Sequence, residues 1–202
     1  VAYRPVPKTQ HELTFADVQA GLTMLGLHGI AMSRYSGCWT GFKVISDFAD
    51  SSASVFSDPF SLEFKTPTDF DMPRDGLNLR WYDPPVAQEN RVINLKLPAA
   101  QAYARANGLD RMIINPAQKR LAIVTTGKAY SDTLQALEDL GITHKRAEEL
   151  GLCIYKVALT WPMEEEGIKR LASQVEEMLV VEEKRGLMEE QIRRILFNMP
   201  AG

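Results

Sequence analysis

Polar residues that could do chemistry follow three apolar stretches in the C-terminal half of the chain. They are Thr126-Gly127-Lys128-Ala129-Tyr130, Thr160-Trp161-Pro162-Met163 and Glu182-Glu183-Lys184-Arg185-Gly186. A Gly-Lys pair also occurs in phosphate-binding loops, and adjacent carboxylates can do acid–base work. The Gly127-Lys128 pair and the Glu182-Glu183 pair are therefore the first candidates for a functional site.

The Gly127-Lys128 loop does not fit a Walker-type phosphate loop. That motif needs a glycine five residues before Gly127 and a Ser or Thr after the lysine, whereas Ala122 and Ala129 stand there. Backbone N–H groups at the start of the following helix, near residues 130–132, could still hold an anion. Because Ser131 and Asp132 are ordinary N-cap residues, a simple strand-to-helix turn is favoured.

The carboxylate pair Glu182-Glu183 does not predict a catalytic dyad. Adjacent strand residues point to opposite faces, so the two carboxylates would not converge on one substrate atom. A salt bridge to Lys184 or Arg185 is the favoured interpretation. Trp161-Pro162 likewise predicts a loop anchored by a buried indole. The three histidines are scattered along the chain, so we predict no catalytic residue and no metal ligand.

Composition restricts the class of protein. The 202 residues suffice for one domain, or one domain plus part of another, and 45% apolar with 24% charged residues is typical of globular proteins. A net charge of -3 gives no basic footprint for nucleic acid. Cys38 and Cys153 form no Cys-x-x-Cys pair, which favours a reduced, cytoplasmic setting. The apolar stretch 21–32 is too short for a bilayer, so no membrane association is expected.

The three loops belong to three strand–loop–helix units. The predicted strands are residues 121–125, 152–159 and 179–181, and the predicted helices are 131–140, 164–178 and 188–197. Strands that alternate with helices form a mostly parallel sheet flanked by helices, which is an α/β fold with Rossmann-like layers. Ligands of such sheets lie at the carboxyl ends of the strands, where these loops would gather.

The N-terminal half is less regular. Residues 15–33 predict a helix that needs a neighbour, because Gly21, Gly26 and Gly29 each weaken it by about 1 kcal/mol. Residues 38–47 predict a strand and 52–56 a second extended piece. One helix and two strands cannot close a core, so residues 1–57 are interpreted as the tail of a domain.

A proline-rich stretch separates that tail from the repeating units. Residues 58–97 are interpreted as a linker or arm that lies along the next domain, since proline fixes φ and removes a donor. Pro98 suits the first position of a helix that ends near residue 107. The domain of repeating units is therefore placed at residues 98–202.

Several ordered runs resemble bacterial indolepyruvate ferredoxin oxidoreductase, a large fused member of the 2-oxoacid:ferredoxin oxidoreductases. The first is Met32-Ser33-Arg34-Tyr35-Ser36-Gly37-Cys38-Trp39-Thr40-Gly41-Phe42-Lys43. It continues in Leu79-Arg80-Trp81, Leu97-Pro98-Ala99-Ala100, the loop 125–130, Leu159-Thr160-Trp161-Pro162 and the run 180–186. The resemblance covers roughly residues 13–57 and 77–198.

The resemblance implies a placement for both halves. Residues 1–57 would be the tail of a pyrimidine-type thiamine diphosphate domain, and 98–202 a domain similar to the C-terminal domain of transketolase. The intact family enzyme uses thiamine diphosphate with Mg²⁺, [4Fe-4S] clusters and CoA as co-substrate. It oxidatively decarboxylates an aryl 2-oxoacid to an acyl-CoA and reduces ferredoxin.

This chain departs from the family pattern in having neither the Gly-Asp-Gly…Asn motif nor a cysteine cluster set. It is therefore interpreted as a fragment or subunit that is inactive alone and holds no cofactor alone. The expected partners are other domains or subunits of the same oxidoreductase, ferredoxin for the intact enzyme, and a second copy in a homo-oligomer. The candidate cofactor-binding residues are Arg34, Tyr35, Lys43, Gly127, Lys128, Tyr130 and Glu183.

Two alternatives stay open at this point. The chain could be a stand-alone nucleotide- or anion-binding regulatory module that uses the Gly127 loop, or a ligand-free assembly domain.

Overall fold

A computed structural model describes residues 15–44, 46, 62–81 and 83–199, with the backbone alone for 15–23. Contacts divide the chain into two compact units, with the boundary between Asn107 and Gly108. We call the described residues up to Asn107 unit 1 and those from Gly108 unit 2. The division predicted from the sequence, into a domain tail at residues 1–57, an arm at 58–97 and a domain at 98–202, stays a prediction. Within these ranges no helix is both long and apolar enough to cross a bilayer.

Unit 1 is built from helices. Helix α1 spans Phe15–Ser36, α2 spans Pro85–Arg91, a π-helical turn spans Val92–Lys96 and α3 spans Leu97–Ala106. The last three are continuous, so the C-terminal end of the predicted extended arm is helical from Pro85 onward. Pro85 does not prevent this, because proline is tolerated in the first helical turn.

Helices α1 and α3 pack against each other in unit 1. Small residues on α3 allow the close approach, and His28 Nδ1 lies 3.0 Å from the Tyr103 hydroxyl. Both side chains are buried. The helix predicted at 15–33 is thus confirmed, with its end at Ser36, and it packs against a neighbouring helix as expected. The buried residues of α3 are Ala99, Ala100, Ala102, Tyr103 and Ala104.

The strand predicted at 38–47 is wrong for the described residues 38–44, which form no ladder. Side chains bind this segment to α1 instead: the Ser33 hydroxyl donates to the Cys38 carbonyl at 2.7 Å. The Thr40 hydroxyl donates to the Gly29 carbonyl at 3.1 Å. The extended piece predicted at 52–56 lies outside the described residues.

Unit 2 is an α/β unit with a four-stranded sheet. The strands are β1 Arg111–Ile114, β2 Leu121–Thr125, β3 Leu152–Lys156 and β4 Glu177–Val181, in the order β1-β3-β2-β4. The pairs β2–β3 and β2–β4 are parallel, and β1 runs antiparallel to β3. The predicted fold class, a mostly parallel sheet flanked by helices, is confirmed.

Four helices flank the sheet: α4 Gly127–Asp139, α5 His144–Leu150, α6 Glu165–Ala172 and α7 Leu187–Leu196. Strand β1 and helix α5 were not predicted. The helix predicted at 164–178 ends at Ala172, because a turn at Ser173 leads into β4. Met178 therefore lies in the strand, and β4 begins two residues earlier than predicted.

One face of the sheet packs against α6 and α7. Alternate strand residues face this side, and the largest wholly buried helix residues there are Ile168, Leu171 and Met188. The intervening strand residues, such as Ile123 and Ile154, belong to the other face, where α4 contacts β2 and β4 and α5 contacts β1 and β3. The sheet is covered on both faces.

Candidate functional site

The three parallel strands of unit 2 end at the same level. Thr125 at the end of β2 pairs in register with Lys156 of β3 and with Val181 of β4. The loops that follow these strands therefore gather at one edge, as predicted. Helix α4 leaves β2 for one face, whereas α6 and α7 leave the neighbouring strands for the other. Open α/β sheets bind ligands at the carboxyl edge, between neighbouring strands whose following helices go to opposite faces.

The loop after β2 brings three of the predicted residues together at the start of α4. Gly127 opens the helix with φ +54°, a conformation that suits glycine. Lys128 Nζ lies 2.7 Å from the Asp132 carboxylate. The ring of Tyr130 is buried, with Lys156 Nζ 4.3 Å from its centroid. Tyr130 thus makes a cation–π contact with Lys156 of β3, and this contact was not predicted from the sequence.

The Thr126 hydroxyl ties β2 to the end of β3. It donates a hydrogen bond to the carbonyl of Val157 at 2.8 Å, so it does not cap α4. Anion binding near residues 130–132 stays a prediction. The structure places these residues inside α4, which begins at Gly127, and the Tyr130 N–H donates to the Thr126 carbonyl at 3.3 Å.

The loop after β3 contradicts one prediction. Trp161 is not a buried anchor, because its side chain is 57% exposed. The anchor is Gln191 of α7, whose amide donates to the Thr160 carbonyl at 2.9 Å and accepts from the Met163 backbone N–H at 3.0 Å. Met163, rather than the indole, fills the core.

The loop after β4 corrects a second prediction. Glu182 makes no salt bridge to Lys184 or Arg185. Its carboxylate instead accepts hydrogen bonds from the backbone N–H groups of Met188 at 2.8 Å and Glu189 at 3.1 Å. Because Gly186 has no side chain to cap α7, Glu182 takes that role. Glu183, the predicted site residue, is exposed.

Two acidic residues at the same edge, Asp110 and Glu164, were not predicted from the sequence. Asp110 precedes β1, and its Oδ1 accepts hydrogen bonds from the N–H groups of Ala158 at 2.7 Å and Leu159 at 3.3 Å. Glu164, 3% exposed, caps α6 by accepting from the N–H of Gly167 at 2.6 Å. A buried Glu164 side chain and a buried oxygen of Asp110 near one loop are a chemical feature that no local motif indicates.

Burial dominates the electrostatics of this set. It raises the pKa of the Asp110 carboxyl to about 6; the Ala158 and Leu159 N–H groups oppose the rise, and the charge of Glu164 adds to it. Burial also raises the pKa of Tyr155, with the charges of Asp110 and Glu164 as further causes. Tyr155 therefore stays a neutral phenol at physiological pH.

The remaining predicted residues, Arg34, Tyr35 and Lys43, belong to unit 1. Arg34 contributes to the lining of a shallow apolar cavity of about 390 Å³ beside α1, and Lys43 is exposed. Tyr35 packs against aromatic rings, with centroids 6.0 Å from Tyr103 and 6.4 Å from Phe70. Burial, then the charge of Asp69, raises its pKa. Tyr35 is thus a packing residue of this unit.

The cysteines of this chain are too few to hold a [4Fe-4S] cluster of the resembling family by themselves. A [4Fe-4S] cluster needs four thiolates. This chain has two cysteines, and Cys153 is wholly buried in β3 with its thiol 3.5 Å from the Leu121 carbonyl. In the part of the chain that the structure describes, no group of three or more His, Cys, Asp or Glu could hold a metal ion.

Comparison with known proteins concerns unit 2. No curated protein and no solved structure matches the chain. Residues 111–202 match the family model of the indolepyruvate oxidoreductase domain. The match spans a little under half of the chain, begins where β1 begins, and supports the resemblance found in the sequence. Unit 2 is therefore similar to the indolepyruvate oxidoreductase domain.

Proposed function

We propose that this chain is a component of a 2-oxoacid:ferredoxin oxidoreductase of the indolepyruvate type. The observation that carries the proposal is the match of residues 111–202 to the indolepyruvate oxidoreductase domain. The intact cytoplasmic enzyme would oxidatively decarboxylate an aryl 2-oxoacid to an acyl-CoA and reduce ferredoxin. Other domains or subunits would hold its thiamine diphosphate, Mg²⁺ and iron–sulfur clusters.

Within that enzyme, unit 2 serves as a supporting module between domains and is inactive alone. Its carboxyl-edge loops support this role because several of their polar side chains are engaged in contacts within the unit. Thr126 ties β2 to the loop after β3. Glu182 caps α7, and Lys128 pairs with Asp132. A side chain that holds a loop in this way is poorly placed to react with a substrate as well.

The same edge offers a surface for contact with the rest of the enzyme. Trp161 is 57% exposed on the loop after β3. Aromatic side chains are enriched at protein–protein contacts because a large apolar ring is desolvated there. The proposed partners are other domains or subunits of the same oxidoreductase, including a second copy of this chain.

A domain replacement tests the proposal. Residues 108–202 would replace the corresponding domain of an established indolepyruvate ferredoxin oxidoreductase, and the chimera would be assayed for indolepyruvate- and CoA-dependent reduction of ferredoxin. We expect assembly and retained activity. The control graft carries Ile168→Asp, which buries a charge in the core and should prevent assembly. An assembled chimera without activity, or activity of this chain alone, would contradict the proposal.

A further inference from the structure

The carboxylate of Asp110 is fixed on one side and unsatisfied on the other. Oδ1 accepts two backbone hydrogen bonds from the start of the loop 157–164, at Ala158 and Leu159. Oδ2 is buried and has no hydrogen-bond partner among the described residues. A buried carboxylate oxygen without a donor is costly when it is charged and much less so when it carries a proton.

The charge of Glu164 increases this cost. Glu164, at the other end of the loop, is a second buried carboxylate. The hydroxyl of Tyr155, on β3, and a carboxylate oxygen of Glu164 both lie beside Gly167. A Cβ atom added to Gly167 would be 2.5 Å from the hydroxyl oxygen and 2.8 Å from the carboxylate oxygen. The positive charge of Arg170, on α6, lowers the pKa of Tyr155. Neither Glu164 nor Tyr155 supplies a positive charge to Asp110.

The nearest basic residues of the sheet lie on its opposite face. Arg111 and Lys156 are register partners at this end of β1 and β3. Strand side chains alternate, so Lys156 and its partner point away from the face on which Tyr155 lies. The charge of Asp110 is therefore opposed by burial and by Glu164, and favoured chiefly by two backbone N–H groups.

We propose that Asp110 is a protonation-sensitive latch for the loop 157–164. With a proton on Oδ2 the side chain is neutral and holds the loop against the edge of the sheet through Oδ1. When that proton passes to solvent, the buried charge beside Glu164 draws in water, and the loop loosens. Because Trp161 lies on this loop, acidification fixes the indole in place and a rise in pH releases it. This inference does not depend on the proposed enzymatic role.

The direction of the effect follows from linkage. The folded chain binds the Asp110 proton more tightly than the unfolded chain, since the pKa rises from 3.8 to about 6. The contribution of Asp110 to stability is therefore greatest below about pH 4, falls as the pH rises to about 6, and is constant above that. If Asp110 regains its ordinary pKa of 3.8 when the loop opens, this shift corresponds to an increase of about 100-fold in the opening equilibrium between low and high pH.

Trp161 fluorescence in the full chain tests the latch. Trp39→Phe and Trp81→Phe, both at exposed positions, leave Trp161 as the sole reporter. The emission of Trp161 should change with a midpoint near pH 6. Asp110→Asn keeps the oxygen acceptor but has no charge to titrate, so it should abolish this step. Because other groups of the chain can contribute to a pH-dependent change in emission, the quantity to compare is the difference in emission between the parent chain and Asp110→Asn at each pH.

A second variant keeps the test decisive if Asp110→Asn does not fold. Glu164→Gln removes the negative neighbour and should move the midpoint to lower pH. Backbone hydrogen exchange at Ala158 and Leu159, corrected for its intrinsic pH dependence, should speed up above the midpoint in the parent chain only. An unchanged step in Asp110→Asn, or an unchanged midpoint in Glu164→Gln, would overturn the latch.

Discussion

The carboxylate of Glu182 accepts a hydrogen bond from the backbone N–H of Met188, with 2.8 Å between Oε1 and the nitrogen. Oε2 accepts from the next N–H, that of Glu189. Met188 is wholly buried in the core of unit 2. The Glu182 side chain thus joins the end of β4 to the first turn of α7, next to a residue of the core. The loop between β4 and α7 therefore contributes to the stability of the fold.

Glu182→Ala should lower the free energy of unfolding by about 1 kcal/mol, as expected for the loss of a helix cap. Chemical denaturation followed by far-UV circular dichroism measures the change. The matched control is Glu183→Ala, at the adjacent exposed position, which should be neutral within about 0.5 kcal/mol. Equal losses in the two variants would show that Glu182 is not a cap.

Gly167→Ala should destabilise unit 2 by about 1–3 kcal/mol, the usual cost of overpacking. The added Cβ would lie 2.5 Å from the Tyr155 hydroxyl oxygen. Gly26→Ala in α1 is the control, because nothing lies within 4 Å of its Cβ and alanine favours a helix. Tyr155→Phe should partly rescue Gly167→Ala; a purely additive double-mutant cycle would argue against the contact.

The elements that could be predicted from the sequence are those with a clear pattern of apolar residues within the element itself. Strand β2 is a short continuous apolar run, and the helices after β3 and β4 have apolar residues at helical spacing, so the type of each element was predicted correctly. Strand β1 has four residues and α5 has seven, which is too short for a periodic signal. Residues 38–44 contain strand-forming residue types, yet Ser33 and Thr40 bind them to α1.

The site was less predictable than the fold. Parallel register follows from the alternation of strands and helices, so the gathering of the loops could be predicted. Asp110 could not be, because its environment is created by backbone donors 48 and 49 residues further along the chain. Trp161 looked like an anchor from its type, whereas Met163 and Gln191 hold that loop.

Asn107→Ala should loosen the segment 62–81 within unit 1 without unfolding the unit. The Asn107 amide accepts from the Lys65 N–H at 2.8 Å and donates to the Lys65 carbonyl at 2.9 Å. Hydrogen exchange at the Lys65 N–H should become faster, while the free energy of unfolding falls by about 1 kcal/mol or less. Asn78→Ala, an exposed change in the same segment, should leave the exchange at Lys65 unaltered.

Ile168→Ala should cost about 2–5 kcal/mol, because it leaves a cavity between the sheet and α6. Leu140→Ala removes a similar apolar volume at a position that is 73% exposed, and it should change stability by less than about 0.5 kcal/mol. Urea denaturation of the full chain compares the two. A small loss at Ile168 would mean that this core is poorly packed.

Titration calorimetry of the full chain with thiamine diphosphate and Mg²⁺ tests the central claim most directly, namely that this chain supports an active site held by other domains or subunits. The account predicts no saturable heat, both with the diphosphate alone and with the metal added. Saturable binding with a micromolar dissociation constant would contradict it, because the chain would then contain a cofactor site of its own.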